Sequence, residues 1–370
     1  MGCAQGSAAI KVPASPWQTT AVQAMSKVRD IAAQNETCRQ FIRTTADGST
    51  IRLRLSNAMS PTPLSLSAIT AGIRLSGAAL VGPPALVTVG GSPSVTIAPH
   101  RVVTTDPVQL PITTGQEVAV TFAVSGTAKL TEHLLGAATG WCSGPGTGDH
   151  TADPSEDPFG QESREGLVVE SLEVKTSAPR PDGVLAVGDS LTDAPLPPDT
   201  YQRWTDFVAA DTHRAVGNAA IGGNRVILSG GYGPTLTQRF SSDVLSRPGV
   251  ATLVLFAGTN DVSTGIDAAR LTRRLSELCR RARARGLRVV LVTLPPAWKR
   301  SADKEQLRQQ VNQWIRTTRE ADAYVDADTL LRDPARPTHL RAVYDFGDGL
   351  HISAAGHRVL GQAIGTALSG

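Results

Sequence analysis

The rhythm of hydrophobic and polar positions changes near residue 176. Before it, apolar and polar residues alternate over short spans. Residues 51–55 read Ile-Arg-Leu-Arg-Leu, the period of two expected of a half-buried strand. A strand over 38–44 precedes it, and Asp47-Gly48 between the two predicts a hairpin turn. Apolar runs at 87–89, 95–97, 102–103 and 118–122 continue the pattern, separated by Gly, Pro and Ser. Only Arg74, Arg101, Asp106, Glu117 and Lys129 are charged between Leu55 and Leu130. Short strands at spacings of about 8 to 12 residues predict an all-β sandwich, jelly-roll-like. Residues 143–165 read as loop. Gly144, Gly146 and Gly148 there follow no clear strand, so they make no dinucleotide site. Residues 167–174 give one more strand.

Past a linker at 176–183, the runs lengthen. Residues 184–187, 251–257 and 288–294 are largely apolar runs closed by Gly or Pro, as buried strands are. Helical spacing lies between them. Over 266–285 it places Ile266, Ala269, Leu271, Leu275, Leu278 and Ala282 inward. Over 301–321 it places Leu307, Val311, Trp314 and Ile315 inward, and Ser353 caps a last helix through Val359, Leu360, Ile364 and Leu368. Strands alternating with helices predict an α/β domain, a parallel sheet covered on both faces. The expected organisation is a flexible segment over 1–16, a β-sandwich over 17–176 and an α/β domain over 183–370.

Composition narrows the function classes. The 370 residues are 41% hydrophobic and 19% charged, enough for two packed cores. Formal charge is 36 − 33 = +3, without the basic clustering of a nucleic-acid or anionic-membrane partner. No apolar run of 18 residues encodes an integral membrane segment. Cys3, Cys38, Cys142 and Cys279 make no C-x-x-C pair, and His100, His133 and His150 have no metal-ligand spacing, so neither metal nor cofactor is expected. Residues 1–16 lack the basic-then-apolar pattern of a signal peptide. Two readings stay open: a cytosolic protein, or an exported one whose signal has been removed. Gly2-Cys3 looks like the end of a bacterial lipobox, with Cys3 as a lipid anchor; the alternative is an ordinary residue beside a start codon. The Ser/Thr/Pro-rich first half suits a secreted or cell-envelope protein. Cys38 and Cys142 flank the strand-rich region and are candidates for a disulfide, against two separate buried thiols. Cys279 falls in the 266–285 helix as a buried free thiol.

In a parallel α/β sheet, ligands sit beyond the carboxyl ends of the strands, and four unusual blocks lie there or before the last helix. They are Gly188-Asp-Ser190-Leu, Gly217-Asn-Ala-Ala-Ile-Gly-Gly223-Asn-Arg225, Gly258-Thr-Asn260-Asp261 and Asp348-Gly-Leu-His351. Taken singly, each has a plain structural reading: a helix cap, a loop, a turn, a surface histidine. Together, and in this order, they make residues 183–370 resemble the SGNH, or GDSL, hydrolase family. The resemblance implies a three-layer α/β/α fold and a Ser-His-Asp triad. Ser190 matches the nucleophile, His351 its base and Asp348 the carboxylate that orients the imidazole. The oxyanion would be met by the N–H groups of Ser190 and Gly223 and the side-chain amide of Asn260. The chemistry is coherent: a hydroxyl needs an adjacent base to attack an ester, and the oxyanion needs fixed donors. Asp189 and Asp193 read as structural, and His357 lies apart from the motif. One departure from the family stands at Ala194, where Gly is frequent.

Thr37–Thr45 and Ile51–Asn57 resemble the β-sandwich that precedes the catalytic domain in some secreted bacterial esterases of this family. That implies carbohydrate esterases and aryl or acyl esterases of the same two-domain type, and the best reading is an exported serine esterase acting on short, acetyl-type esters of a carbohydrate or glycoconjugate. The rivals are a lipid or aryl-ester hydrolase, an acyltransferase on the same fold, and an inert binding protein. Asn224, Tyr232, Trp298 and Tyr344, near the motif loops, are candidate substrate contacts. Phe346 is a further aromatic there, and aromatic faces pack on sugar rings.

Overall fold

The computed structural model describes residues 15–176 and 182–369. The 176–183 linker and the Cys3 anchor site therefore fall largely or wholly outside the described residues. The first half is a sandwich of two antiparallel sheets. One sheet runs Trp17–Val22, Val169–Lys175, Gly48–Ser56, Val102–Thr104, with Val108–Ile112 also paired to Gly48–Ser56. The other is centred on Thr37–Arg43, Glu117–Val124 and the long strand Leu64–Ser76. Their alternating side chains meet in a core that includes Ile51, Leu53, Leu55, Leu66, Ile69, Val118, Val120 and Phe122.

The hairpin expected at Asp47-Gly48 does not form. Thr37–Arg43 and Gly48–Ser56 lie in opposite sheets, so the Asp-Gly pair is a corner between layers. A Cβ on Gly48 would lie 2.2 Å from a Val174 methyl, and Asp47 instead ties the corner to Thr114. The strand expected at 87–89 is displaced to Ala85–Leu86. The last strand of the sandwich is interrupted at Val168, whose φ is 60°. Cys38 and Cys142 are cross-strand neighbours joined by a disulfide.

The second half holds a five-stranded parallel sheet in the order Val216–Asn218, Gly183–Gly188, Val250–Phe256, Arg288–Val292, Ala323–Val325. In chain order this is 2-1-3-4-5. The chain reverses direction across the sheet beside its first strand, and that switch point opens a crevice at the strand's carboxyl end. Helix Ala268–Ala284 turns Leu271, Leu275, Leu278 and Cys279 inward and is capped by Asp267, which accepts the Arg270 N–H. It packs on Ala302–Thr317, while Trp204–Thr212 packs on Ala354–Ser369. Gly361 permits the latter approach, since a Cβ there would lie 2.8 Å from Phe207. The result is a three-layer α/β/α domain.

The two halves share a buried seam. Val22 and Ala24 from the sandwich join the core of the α/β domain. Thr45 bonds both the N–H and the C=O of Val216. The guanidinium of Arg247 is fully buried against Glu170 and Ser171. Arg74 meets Asp199 at 2.7 Å, and the Tyr201 hydroxyl donates to Glu117.

Candidate active site

The first parallel strand ends at Gly188, where a Cβ would lie 2.0 Å from the Phe256 carbonyl oxygen. The chain then turns into a single helical turn, Ser190–Asp193, capped by Asp189, whose carboxylate accepts the Leu191 N–H at 3.1 Å. Ser190 thus stands at the carboxyl edge of the sheet with its N–H at a helix N-terminus. Ala194 closes the turn at φ 59°, ψ 125°, a backbone that favours glycine. Ala194 therefore carries backbone strain that glycine would not.

His351 reaches Ser190 from the other side of the crevice. Its Nε2 lies 2.9 Å from Ser190 Oγ, and its Nδ1 lies 2.5 Å from Asp348 Oδ2. The other oxygen of Asp348 accepts the N–H groups of Leu350 and His351 at 2.9 and 2.8 Å. Asp345 shapes the loop by accepting from Gly347 and Gly349. Partial burial pushes the Asp348 carboxyl up, but the bonds from His351 and Leu350 outweigh it and hold the group down at about 2. An ionised Asp348 fixes the proton on Nδ1 and leaves Nε2 free to accept from Ser190, the arrangement a hydroxyl nucleophile requires.

The opposite wall is the glycine block. Ile221 N–H bonds the Gly188 carbonyl, and Gly222 N–H donates to Asp193 Oδ2 at 2.7 Å. Gly223 has φ 73°, and a Cβ there would strike the Tyr232 ring at 2.6 Å. Asn260 donates one amide N–H to the Asn224 carbonyl at 2.9 Å, and Asp261 accepts from Val226 and Ile227. Among the described residues, no protein acceptor takes the N–H of Ser190, the N–H of Gly223 or the second amide N–H of Asn260. These three donors are available to a developing oxyanion.

The expected substrate contacts divide. Asn224 is a correction: only 3% exposed, it donates to the Tyr232 and Pro234 carbonyls and accepts twice from Arg239. Its amide is fully committed to bracing the loop. Tyr344 is half-buried on the α/β core and packs against Gly356 of the last helix. Tyr232 and Trp298 are 51% and 49% exposed. The first lies against Gly223 and the second against Gly349, next to Asp348. Phe346 is exposed as well. A cleft of about 480 Å³ beside Asp348 is lined by Ser263, Lys299, Arg300, Ser301, Lys304 and Leu350.

Other residues that support the site carry no local signal in the sequence. Arg239 is buried and donates to the carbonyls of Gly188 and Ala219 and to Asn224, tying the nucleophile strand to the glycine block. Arg300 links Pro295 to Thr259, beside Asn260. Asp189 is buried under the nucleophile turn, which pushes its carboxyl up to about 7. Burial likewise pushes Cys279 up to about 12 and His357 down to about 3, so that thiol and that imidazole stay neutral at pH 7. Among the described residues, no group of three or more His, Cys, Asp or Glu side chains could hold a metal, and no helix is long and apolar enough to cross a membrane.

A switch-point serine with a histidine–aspartate pair hydrogen-bonded to it is the constellation of a class, the carboxylic ester hydrolases of the SGNH type. Residues 186–359 match the GDSL-like lipase/acylhydrolase family. No curated protein matches the chain. Solved structures similar to it include a carbohydrate acetylesterase from Sinorhizobium meliloti, at 17% identity over 50% of this chain and 98% of that one, TM-score 0.41. An aryl esterase from M. smegmatis matches at 16% identity over 51% and 98%, TM-score 0.42. A GDSL-like lipase from Bacteroides thetaiotaomicron matches at 20% over 51% and 88%, TM-score 0.41.

Proposed function

We propose that this protein is an exported serine esterase that removes short acyl groups, acetyl foremost, from a carbohydrate or glycoconjugate. The observation that carries the reading is the hydrogen-bonded chain from Ser190 through His351 to Asp348, at 2.9 and 2.5 Å. Ser190 attacks the ester carbonyl as its proton passes to His351 Nε2. The imidazolium that forms is stabilised by the ionised Asp348. The tetrahedral oxygen is met by the N–H groups of Ser190 and Gly223 and the amide of Asn260. His351 then protonates the departing alcohol, and water repeats the sequence on the acyl-enzyme.

The sugar-like alcohol is supported by two exposed aromatic faces, Tyr232 and Trp298, on the two walls of the site. It is supported also by the cleft beside Asp348, whose Lys299, Arg300, Ser301 and Lys304 supply donors for hydroxyls. The Cys38–Cys142 disulfide supports export, because such bonds persist in oxidising compartments. The deciding experiment measures kcat/KM on acetyl, butyryl, octanoyl and palmitoyl nitrophenyl esters, then acetate release from acetylated xylan, pectin and glucosamine oligomers. The expected result is a maximum at acetyl or butyryl with acetate released from a saccharide. A maximum at octanoyl or longer, with no acetate from any sugar, moves the enzyme to lipid esters.

A further inference from the structure

His133 stands on a short strand of the β-sandwich, Thr131–His133, and its ring lies on the domain seam, where it meets Asp193 of the α/β domain. Its Nδ1 lies 2.8 Å from the Ala24 carbonyl oxygen. Its Nε2 lies 3.1 Å from the Leu135 carbonyl oxygen and 3.0 Å from Asp193 Oδ1. With Asp193 ionised, all of these partners are acceptors, so both ring nitrogens donate and the ring is an imidazolium. The side chains of His133 and Asp193 are 5% and 3% exposed, so the pair is shielded from water and salt. The second oxygen of Asp193 holds the Gly222 N–H at 2.7 Å. Leu135 closes the same corner, since a Cβ on Gly222 would lie 2.7 Å from its methyl.

Asp193 ends the helical turn that begins at Ser190, and Gly222 precedes Gly223. The pair therefore spans the two backbone N–H groups that the esterase reading assigns to the oxyanion. We infer that His133 of the β-sandwich is a positioning residue for ester hydrolysis: its imidazolium fixes Asp193, and Asp193 holds the Gly222–Gly223 segment in register with Ser190. The inference rests on that esterase reading and adds a requirement to it, namely that the accessory domain completes the oxyanion site.

The charge on His133 has a definite pH range. Burial alone would discharge the ring, and Arg203, which donates to the Leu135 carbonyl, also opposes the charge. The charge and hydrogen bond of Asp193, with the Ala24 carbonyl, outweigh both and raise the histidine above its ordinary value. The neighbouring Glu132 is engaged with Lys27. A raised histidine stabilises fully below the ordinary pKa of about 6.5 and loses that contribution as pH rises through its folded value. The clamp's contribution is thus full below about pH 6.5 and is lost as pH rises above that value.

The test uses the full chain, with His133→Gln and the isosteric Asp193→Asn beside the parent and Ser190→Ala. Nitrophenyl acetate supplies kcat and KM, and a phenylboronic acid, whose serine adduct places an oxygen among the oxyanion donors, supplies an inhibition constant. Each clamp variant is expected to lose ~10-fold or more in kcat, short of the ~10²–10³ for deleting an oxyanion donor. Boronate affinity should fall in parallel and KM should stay within about twofold, because only the charged tetrahedral state uses those donors. If His133→Gln does not fold, Asp193→Asn alone decides the matter. Folded variants with lower melting temperatures but parental kcat and boronate affinity overturn the inference and make the pair merely structural. An active Ser190→Ala overturns the esterase reading and the inference together. An inactive Ser190→Ala beside unaffected clamp variants overturns the inference alone.

Discussion

On the esterase reading proposed above, the two walls of the site are assembled in opposite ways. The acid–base wall is local: Asp348 and His351 are three residues apart, and the same loop supplies both side chains and the N–H groups that fix Asp348. The oxyanion wall is dispersed. It joins Ser190, Gly223 and Asn260 through Asp193, Asn224, Arg239 and, across the domain seam, His133. A local wall can be carried by a short motif on many sequences. A dispersed wall depends on long-range packing, so its support is set by the whole fold and, here, by a second domain.

That contrast orders the expected effects. Replacing the reacting atom should be the most severe: Ser190→Ala is expected to lower kcat by ~10⁴-fold or more with an unchanged circular dichroism spectrum, as loss of a triad member leaves only residual catalysis. Retention of most of the rate would remove Ser190 from the chemistry. Next comes the dispersed wall. Asn260→Ala should cost ~10²–10³ in kcat, with a smaller change in KM, because its amide serves the transition state. A change confined to KM would assign Asn260 to substrate binding instead.

The accessory domain offers a third lever. The Cys38–Cys142 bond closes a separation of 104 residues. In the chain-entropy model a loop of that size stabilises by up to ~4.7 kcal/mol, with ~2–4 typical. Cys38→Ser together with Cys142→Ser should lower the melting temperature of the sandwich, and thiol titration of the unreduced, denatured parent should find these two cysteines blocked. A titration showing all cysteines free removes the bridge. The smallest effect concerns the cap beneath the nucleophile. With its carboxyl pushed up to about 7 by burial, Asp189 stabilises fully below its ordinary value near 4 and loses that contribution as pH rises through 7. Asp189→Asn keeps a side-chain oxygen for the Leu191 N–H, so the variant should gain in urea midpoint relative to the parent between pH 5 and 8. A pH-independent difference would show that Asp189 does not titrate in that range.

What the sequence disclosed follows the same division. The buried strands and the helices at 268–284, 302–317 and 354–369 were legible because their apolar period is set by local geometry and a single face. The strands Val216–Asn218 and Ala323–Val325, three residues each, are too short to show a period. The Asp47-Gly48 corner has the chemistry of a hairpin turn, and only the pairing of its flanking strands with distant partners decides against one. The motif residues of the proposed site stand out in the sequence because the chemistry proposed for them restricts residue type and spacing. Asp193, Arg239 and His133 do not, because each acts through partners 15 to 60 residues away. Asn224 looked like a substrate contact from its place beside Gly223, yet burial turned the same amide into a brace.

The central claim is that Ser190 is the nucleophile and that His351 activates it. The most direct measurement is covalent labelling with a serine-directed fluorophosphonate, followed by peptide mass mapping of the parent, Ser190→Ala and His351→Ala. The expected result is one adduct per chain, on the peptide carrying Ser190, with activity lost in step with labelling. The adduct should be absent from Ser190→Ala and strongly slowed in His351→Ala. Labelling on another residue, or full inhibition of a Ser190→Ala protein that still hydrolyses acetate esters, would contradict it.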